Sequence, residues 1–358
     1  IDADVTRNRP DCWGYVGVAR DLAAKLGVEF RPPTPTLTVT GAERVAPVEI
    51  VDGDRCGRFT STVISGIEVM PSADWMARRL NAAGMRPINN VVDVSNYVML
   101  ELNQPNHAYD LDTLGGGGFR VRRATEGEQL TTLDGEARTF THDDLFICDA
   151  NDVPIGVGGI MGGLDTEISD ATTTVALEMA WFSLVGIGQT VARTNLRSEA
   201  SARFERGVDP YGMPTAIARF VELLAETCPD LTVHAGAVDE RSAHLPADTR
   251  RVDVRIAAVN RILGTELAAA DLPPLLDPIG FTVDGSGDTR SVALPSWRLD
   301  STEEIDVIEE VARHYGYDRL GKIVPQSVVH GELCVLQHRR RLARVVLLGL
   351  GISEAMPN

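Results

Sequence analysis

Cysteine chemistry is sparse in this chain. Cys12, Cys56, Cys148, Cys228 and Cys334 stand far apart, are odd in number and form no CxxC pair. That spacing signals neither a disulfide framework nor a zinc knuckle; it fits the reduced, buried thiols of a cytosolic protein. Basic residues are also short: 34 Lys and Arg face 51 Asp and Glu, for a net charge of −17. Such a field repels phosphate, so a sequence-blind DNA coat is excluded and any RNA contact is local. No apolar run reaches the roughly 18 residues that a membrane helix needs; the stretch 345–352 near the C-terminus is too short. There is no GxSxG, no nucleophile–base dyad and no repeat at solenoid periods.

What is present suits a globular protein of several domains. The length is 358 residues, with 44% apolar and 24% charged; at roughly 150 residues per domain this predicts two or three. The chain opens on Ile1 and ends just beyond an apolar segment, and so reads as a piece of something longer. Residues 1–36 read as a strand remnant and then a helix capped by Asp11, carried by Val16, Ala19, Leu22, Ala23 and Leu26 and stopped by Gly27. Pro32, Pro33 and Pro35 make a stiff link. A mixed region follows over 45–240: a strand at 58–64, a helix capped by Ser72 or Asp74, a hairpin turning at Asp134-Gly135, a glycine-rich stretch at 157–163 and a helix over 213–227. Polar text near 240–250 marks a boundary. Residues 250–325 read as a small αβ unit, and 326–358 begin a new module with a basic helix.

Two kinds of segment carry chemistry. The first is acidic. Ser301 and Glu304 fit a capping box, and Ile305, Ile308, Ala312 and Tyr315 form the core face of the helix that follows. Asp306, Glu309 and Glu310 share one side of it, and Asp300 can reach the same place. Convergent carboxylates suit a hard divalent cation. The alternative is a solvated acidic first turn favoured by the helix dipole. The second kind is a set of tight polar stretches: 89–97 followed by Gln104-Pro105-Asn106-His107, then 158–163 (GGIMGG), then Glu178 inside the apolar run 176–180. Glycines let backbone approach a ligand, an acid in a buried strand needs a partner or a ligand hydroxyl, and histidine moves protons near neutral pH. A turn and a structural histidine are the alternatives. Arg193, Arg197, Arg203 and Arg206 offer either phosphate forks or internal pairs with Glu199, Glu205 and Asp209.

In register, the motifs NRPDCWGYVGVARDLAA (8–24), GMRPINNVVDVSNYVMLELNQPNHAYDLD (84–112), LDG (133–135), GGIMGG, ALEMAWF, RSEASARFERGVDP (197–210) and PSWRLDSTEEIDVIEEVARHYGYD (295–318) resemble the beta subunit of bacterial phenylalanine–tRNA ligase. The resemblance implies an α+β, multi-domain chain: a mixed-sheet tRNA-editing domain over 45–240, then a small winged-helix-like domain. It implies hydrolysis of tyrosine wrongly attached to tRNA(Phe), with His107 and Glu178 as catalytic residues and Ser95, Asn96, Gly159, Gly162 and Ala200 lining the pocket. His107 would orient or activate water, helped by the RNA's terminal hydroxyl. It implies that Asp300, Asp306, Glu309 and Glu310 bind magnesium shared with an alpha subunit, which itself uses ATP to charge tRNA(Phe), in an alpha2–beta2 heterotetramer of the cytoplasm without membrane or DNA contact. Gly158 stands where the family has Ala, predicting a looser pocket wall; Asn103 replaces a Gly and tolerates left-handed backbone. Two other readings remain: a noncatalytic module that guides tRNA, and a nucleic-acid-binding unit at 250–325.

Overall fold

The computed structural model describes residues 5–164, 167–322 and 331–356. The chain divides into two compact units, residues 1–317 and 318–358. Its architecture is α+β, with helices packed on several mixed sheets.

The first unit is built around two long strands, β3 (Cys56–Ser65) and β11 (Thr174–Phe182), paired antiparallel with Glu178 opposite Ser61. All of β11, and all of β3 except Ser65, is buried. That follows from their near-continuous β-branched and apolar sequence, which suits strands covered on both faces. Around them lie β1 (Gly41–Glu43), β4 (Asn106–Asp110), β12 (Thr232–Ala235) and β13 (Val238–Arg241), in the order β1-β12-β3-β11-β4 with β13 also on β3. A second sheet runs β10-β9-β8-β5-β2, from β2 (Val48–Ile50), β5 (Phe119–Arg123), β8 (Leu145–Asp149), β9 (Pro154–Val157) and β10 (Met161–Gly162). Phe119 joins the two sheets, its ring 5.4 Å from Phe59 and 5.2 Å from Tyr109. The hairpin at Asp134-Gly135 is present as β6 (Gln129–Thr131) and β7 (Ala137–Thr139).

Helices α1 (Tyr15–Leu26), α2 (Asp74–Ala82), α3 (Asn90–Leu102), α4 (Leu184–Thr194), α5 (Glu199–Phe204) and α6 (Met213–Leu224) complete this part. Helix α3 lies in the polar stretch 89–97: Asn89 accepts from the Val92 N–H as its cap, and Val91, Val94 and Val98 are its buried stripe. It ends on Asn103 at φ 58°, the left-handed conformation expected of that residue.

A second hydrophobic core, separate from the first, gathers Val254, Val259, Leu276, Phe281, Val292, Val307 and Val311. It sits between the antiparallel sheet β14 (Arg250–Arg255), β16 (Thr289–Leu294), β15 (Thr282–Asp284) and helices α7 (Ile256–Leu263), α8 (Leu272–Leu276) and α9 (Glu304–Tyr315). In the second unit the described residues include helix α10 (Val335–Gly349).

Several local expectations are corrected. Val5–Asn8 form a turn rather than a strand, and the residues before them lie outside the described set. Asp11 caps nothing: Gly14 caps α1, and Asp11 receives both Nε and Nη2 of Arg9 at 2.9 Å. Neither Ser72 nor Asp74 caps α2, whose N-cap is Ala73; Ser72 donates to Asp93 instead. Glu303, not Ser301, caps α9, because the Asp306 carboxylate reaches back to the N–H groups of Thr302 and Glu303 at 2.7 and 2.8 Å. Ile305 then falls outside the core face, half exposed, while Val307 and Val311 join Ile308 inside. The junction expected near 325 lies outside the described residues.

Candidate functional site

The register of the central strands builds a row of side chains. Ser61, Glu178 and His107 are direct cross-strand partners on β3, β11 and β4. Directly opposed residues project to one face with Cβ atoms about 5 Å apart. The row meets the loop between β9 and β10, and a cavity of about 70 Å³ lies between them. A single water needs roughly 10–15 Å³ on this measure, so the space takes more than one. His107, Glu178, Gly159, Gly162 and Ala200 line it, together with Tyr109, Met161, Phe182 and Phe204.

The glycines are there for space. Gly159 sits at φ +71°, and a Cβ on it would fall 2.8 Å from both Ile187 Cδ1 and Phe182 Cδ2. A Cβ on Gly162 would lie 3.0 Å from His107 Cε1. The imidazole is thus held between the Gly162 backbone and the Tyr109 ring, whose centroid is 4.3 Å away. Gly158 does not open the wall as expected: it faces the Leu145 side chain at 3.0 Å, not the cavity.

Both titratable groups are set by burial. Glu178 is 6% exposed. Loss of water pushes its carboxyl up to about 8 and pulls His107 down to about 4. At neutral pH the site holds an uncharged acid beside an uncharged imidazole. The acid can donate or accept a hydrogen bond, and the imidazole can orient a water. Ser61 Oγ, beside Glu178 in the ladder, is buried with no hydrogen-bond partner among the described residues.

Ser95 and Asn96 are not among the residues lining this cavity. Both lie on α3, and Ser95 connects to the cavity through Asn106, which donates to the Ser95 carbonyl at 3.1 Å. Sequence reasoning missed Tyr109, Phe182 and Phe204. The alternation His107-Ala108-Tyr109 on one strand was the available signal for Tyr109. The arginines of 193–206 choose internal pairs: Arg203 with Glu199 at 2.7 Å, Arg206 with Glu205 at 2.5 Å, and Arg193 with Asp144.

The acidic helix start is assembled differently from its expectation. Arg298, 2% exposed, donates from Nη2 to Asp300 at 2.7 Å and to Glu310 at 2.9 Å. Arg313 donates to Glu310 at 3.0 Å and to Asp21 of α1 at 2.5 Å. Burial pushes the Glu310 carboxyl up, but the Arg298 and Arg313 guanidiniums outweigh it and hold it at about 2. Asp306 spends Oδ2 on the helix cap, and Glu309 is exposed. Among the described residues, the group of acids and histidine close enough to share an ion is Asp21, Glu310 and His314, and arginine already occupies its acids. Asp300 and Glu310 therefore do not fit a cation. Asp306 and Glu309, three residues apart on one helical face, fit half a site.

The chain matches known proteins along most of its length. A family model described as the B3/4 domain matches residues 55–229, and one described as the tRNA synthetase B5 domain matches residues 252–317. The phenylalanine–tRNA ligase beta subunits of Anaeromyxobacter dehalogenans and Moorella thermoacetica are 41% and 42% identical to it, each over 99% of this chain and 44% of their own length. That of Streptococcus pneumoniae is 40% identical over the same shares. The chain thus spans less than half the length of these curated relatives. A crystal structure of an N-terminal fragment of the phenylalanyl-tRNA synthetase beta-subunit from Pyrococcus horikoshii aligns over 87% of this chain and 85% of its own, at 16% identity and a TM-score of 0.44. With both domain models in order and bacterial relatives matched along nearly its whole length, the chain belongs to the beta-subunit family of phenylalanine–tRNA ligases.

Proposed function

We propose that residues 45–240 edit: the cavity at His107 and Glu178 hydrolyses tyrosine wrongly attached to tRNA(Phe). The observation that carries this reading is an uncharged carboxyl, buried in an apolar wall, directly across the ladder from an uncharged imidazole. An apolar wall cannot tell phenylalanine from tyrosine. A buried polar partner for the phenolic hydroxyl discriminates by about 10⁴ or more. Glu178 supplies that partner. His107 orients the attacking water toward the ester, and the RNA's own terminal hydroxyl can share the proton transfer. Gly159 and Gly162 hold backbone against the substrate where any side chain would fill the space. Ser95 acts from α3 through Asn106 on the rim, and Asn96 lies beside it on the same helix.

The rest of the reading concerns the assembly. The chain would support an alpha subunit, which uses ATP to charge tRNA(Phe), in a cytoplasmic alpha2–beta2 heterotetramer. The small domain over 250–325 would carry this chain's share of a magnesium site, through Glu309 and the Oδ1 of Asp306. Magnesium, when bound, neutralises acid across a subunit boundary. Asp300 and Glu310 keep the helix in place through Arg298.

The editing reading is tested by deacylation of Tyr-tRNA(Phe) with the intact enzyme. His107→Ala with Glu178→Ala is expected to slow hydrolysis by about 10²-fold or more. Unchanged hydrolysis removes the editing role and leaves a noncatalytic module that guides tRNA.

A further inference from the structure

A second cavity, of about 340 Å³, lies where α1 and the proline link meet the start of α6 and the segment before α9. Arg20 of α1 projects into it. Its guanidinium lies 4.2 Å from the Trp297 ring centroid and 5.4 Å from that of Phe30. Trp297 can lie there because Gly280 has no side chain: a Cβ would fall 2.4 Å from Trp297 Cζ2. Guanidinium has five N–H donors. Among the described residues Arg20 makes no hydrogen bond, and its one carboxylate neighbour within ion-pair range is Asp11 at 3.8 Å. Asp11 is already held by Arg9 through two bonds of 2.9 Å. Asp209 also lines the cavity, where it accepts from the Tyr211 N–H at 2.9 Å and from Ser296 and feels the Arg20 charge.

The charges select a ligand class. A simple anion would meet Arg20 but also Asp11 and Asp209. A simple cation would meet Asp209 but also Arg20. A molecule with both charges on a short spacer satisfies each wall, and Phe30, Pro33 and Trp297 ask for an apolar remainder. We propose that this cavity binds a free α-amino acid with an apolar side chain, its carboxylate on Arg20 and its ammonium on Asp209. The site is separate from the His107–Glu178 cavity and does not depend on the editing reading.

Isothermal titration of the full chain with L-leucine tests it. Saturable one-to-one binding is expected, and 4-methylpentanoate, which lacks the ammonium, and isopentylamine, which lacks the carboxylate, should each bind at least about tenfold more weakly. Arg20→Gln and Asp209→Asn should each weaken leucine binding by about tenfold or more, while Glu178→Gln leaves it unchanged. No saturation, equal binding of either truncated ligand, or full binding by Arg20→Gln overturns the proposal. Loss of binding in Glu178→Gln would also overturn it, by assigning the ligand to the other cavity without touching the editing reading. Where Arg20→Gln does not fold, the three ligands on the unaltered chain decide.

Discussion

Glu178 and Glu310 are both buried acids, 6% and 2% exposed, and they meet burial in opposite ways. Among the described residues Glu178 has uncharged neighbours and no guanidinium partner, so it keeps its proton to about pH 8. Glu310 lies between Arg298 and Arg313 and gives its proton up at about 2. The difference separates chemistry from architecture. A charge answered by arginines is a clamp, here tying α9 to α1 through Arg313 and Asp21. An acid left without a countercharge can still offer a hydrogen bond to a ligand.

The comparison breaks most visibly at the clamp. Glu310→Gln leaves the Arg298 charge buried with half its partners, and is expected to lower unfolding free energy by roughly 3–5 kcal/mol. Urea denaturation measures it; a loss below about 1 kcal/mol would mean the network adds little. Next comes Gly159→Ala, which combines a left-handed backbone with contacts to Ile187 and Phe182 and should cost about 1–3 kcal/mol while narrowing the cavity. Thermal unfolding and deacylation together read both effects.

A smaller effect sharpens the contrast through pH. Glu178 is raised above its unfolded value, so its stabilising protonation is present at low pH and lost as pH rises toward 8. His107 is lowered, so its penalty is felt only at acid pH and is gone above about 6.5. Between about pH 6.5 and 8 Glu178 acts alone, and stability should fall by up to about 2 kcal/mol. Glu178→Gln should flatten that slope. Glu310, ionised throughout the window, should contribute no slope there.

The cavity at Glu178 was legible in sequence where the signal is local. Glu178 announces itself as an acid inside an apolar strand, and GGIMGG as backbone that cannot bear side chains. Asn103 declared its left-handed turn. The acidic helix start misled because spacing along a helix says nothing about what arrives from elsewhere. Asp21 and Arg313 are 292 positions apart, and their pairing is visible only after folding. The Ser301 cap failed for a related reason: the Glu304 carboxylate, its expected partner in the box, is taken by the Arg255 N–H and guanidinium instead. Helix α3 went unread because Asn89-Asn90 resembles a turn until Val91, Val94 and Val98 are seen as one stripe.

The central claim is that Glu178 recognises one hydroxyl. The direct measurement is kcat/KM for deacylation of Tyr-tRNA(Phe) relative to Phe-tRNA(Phe), before and after Glu178→Leu. The account predicts a strong preference for the tyrosyl ester that drops by about 10²-fold or more once the carboxyl is gone. A preference that survives the substitution would contradict it.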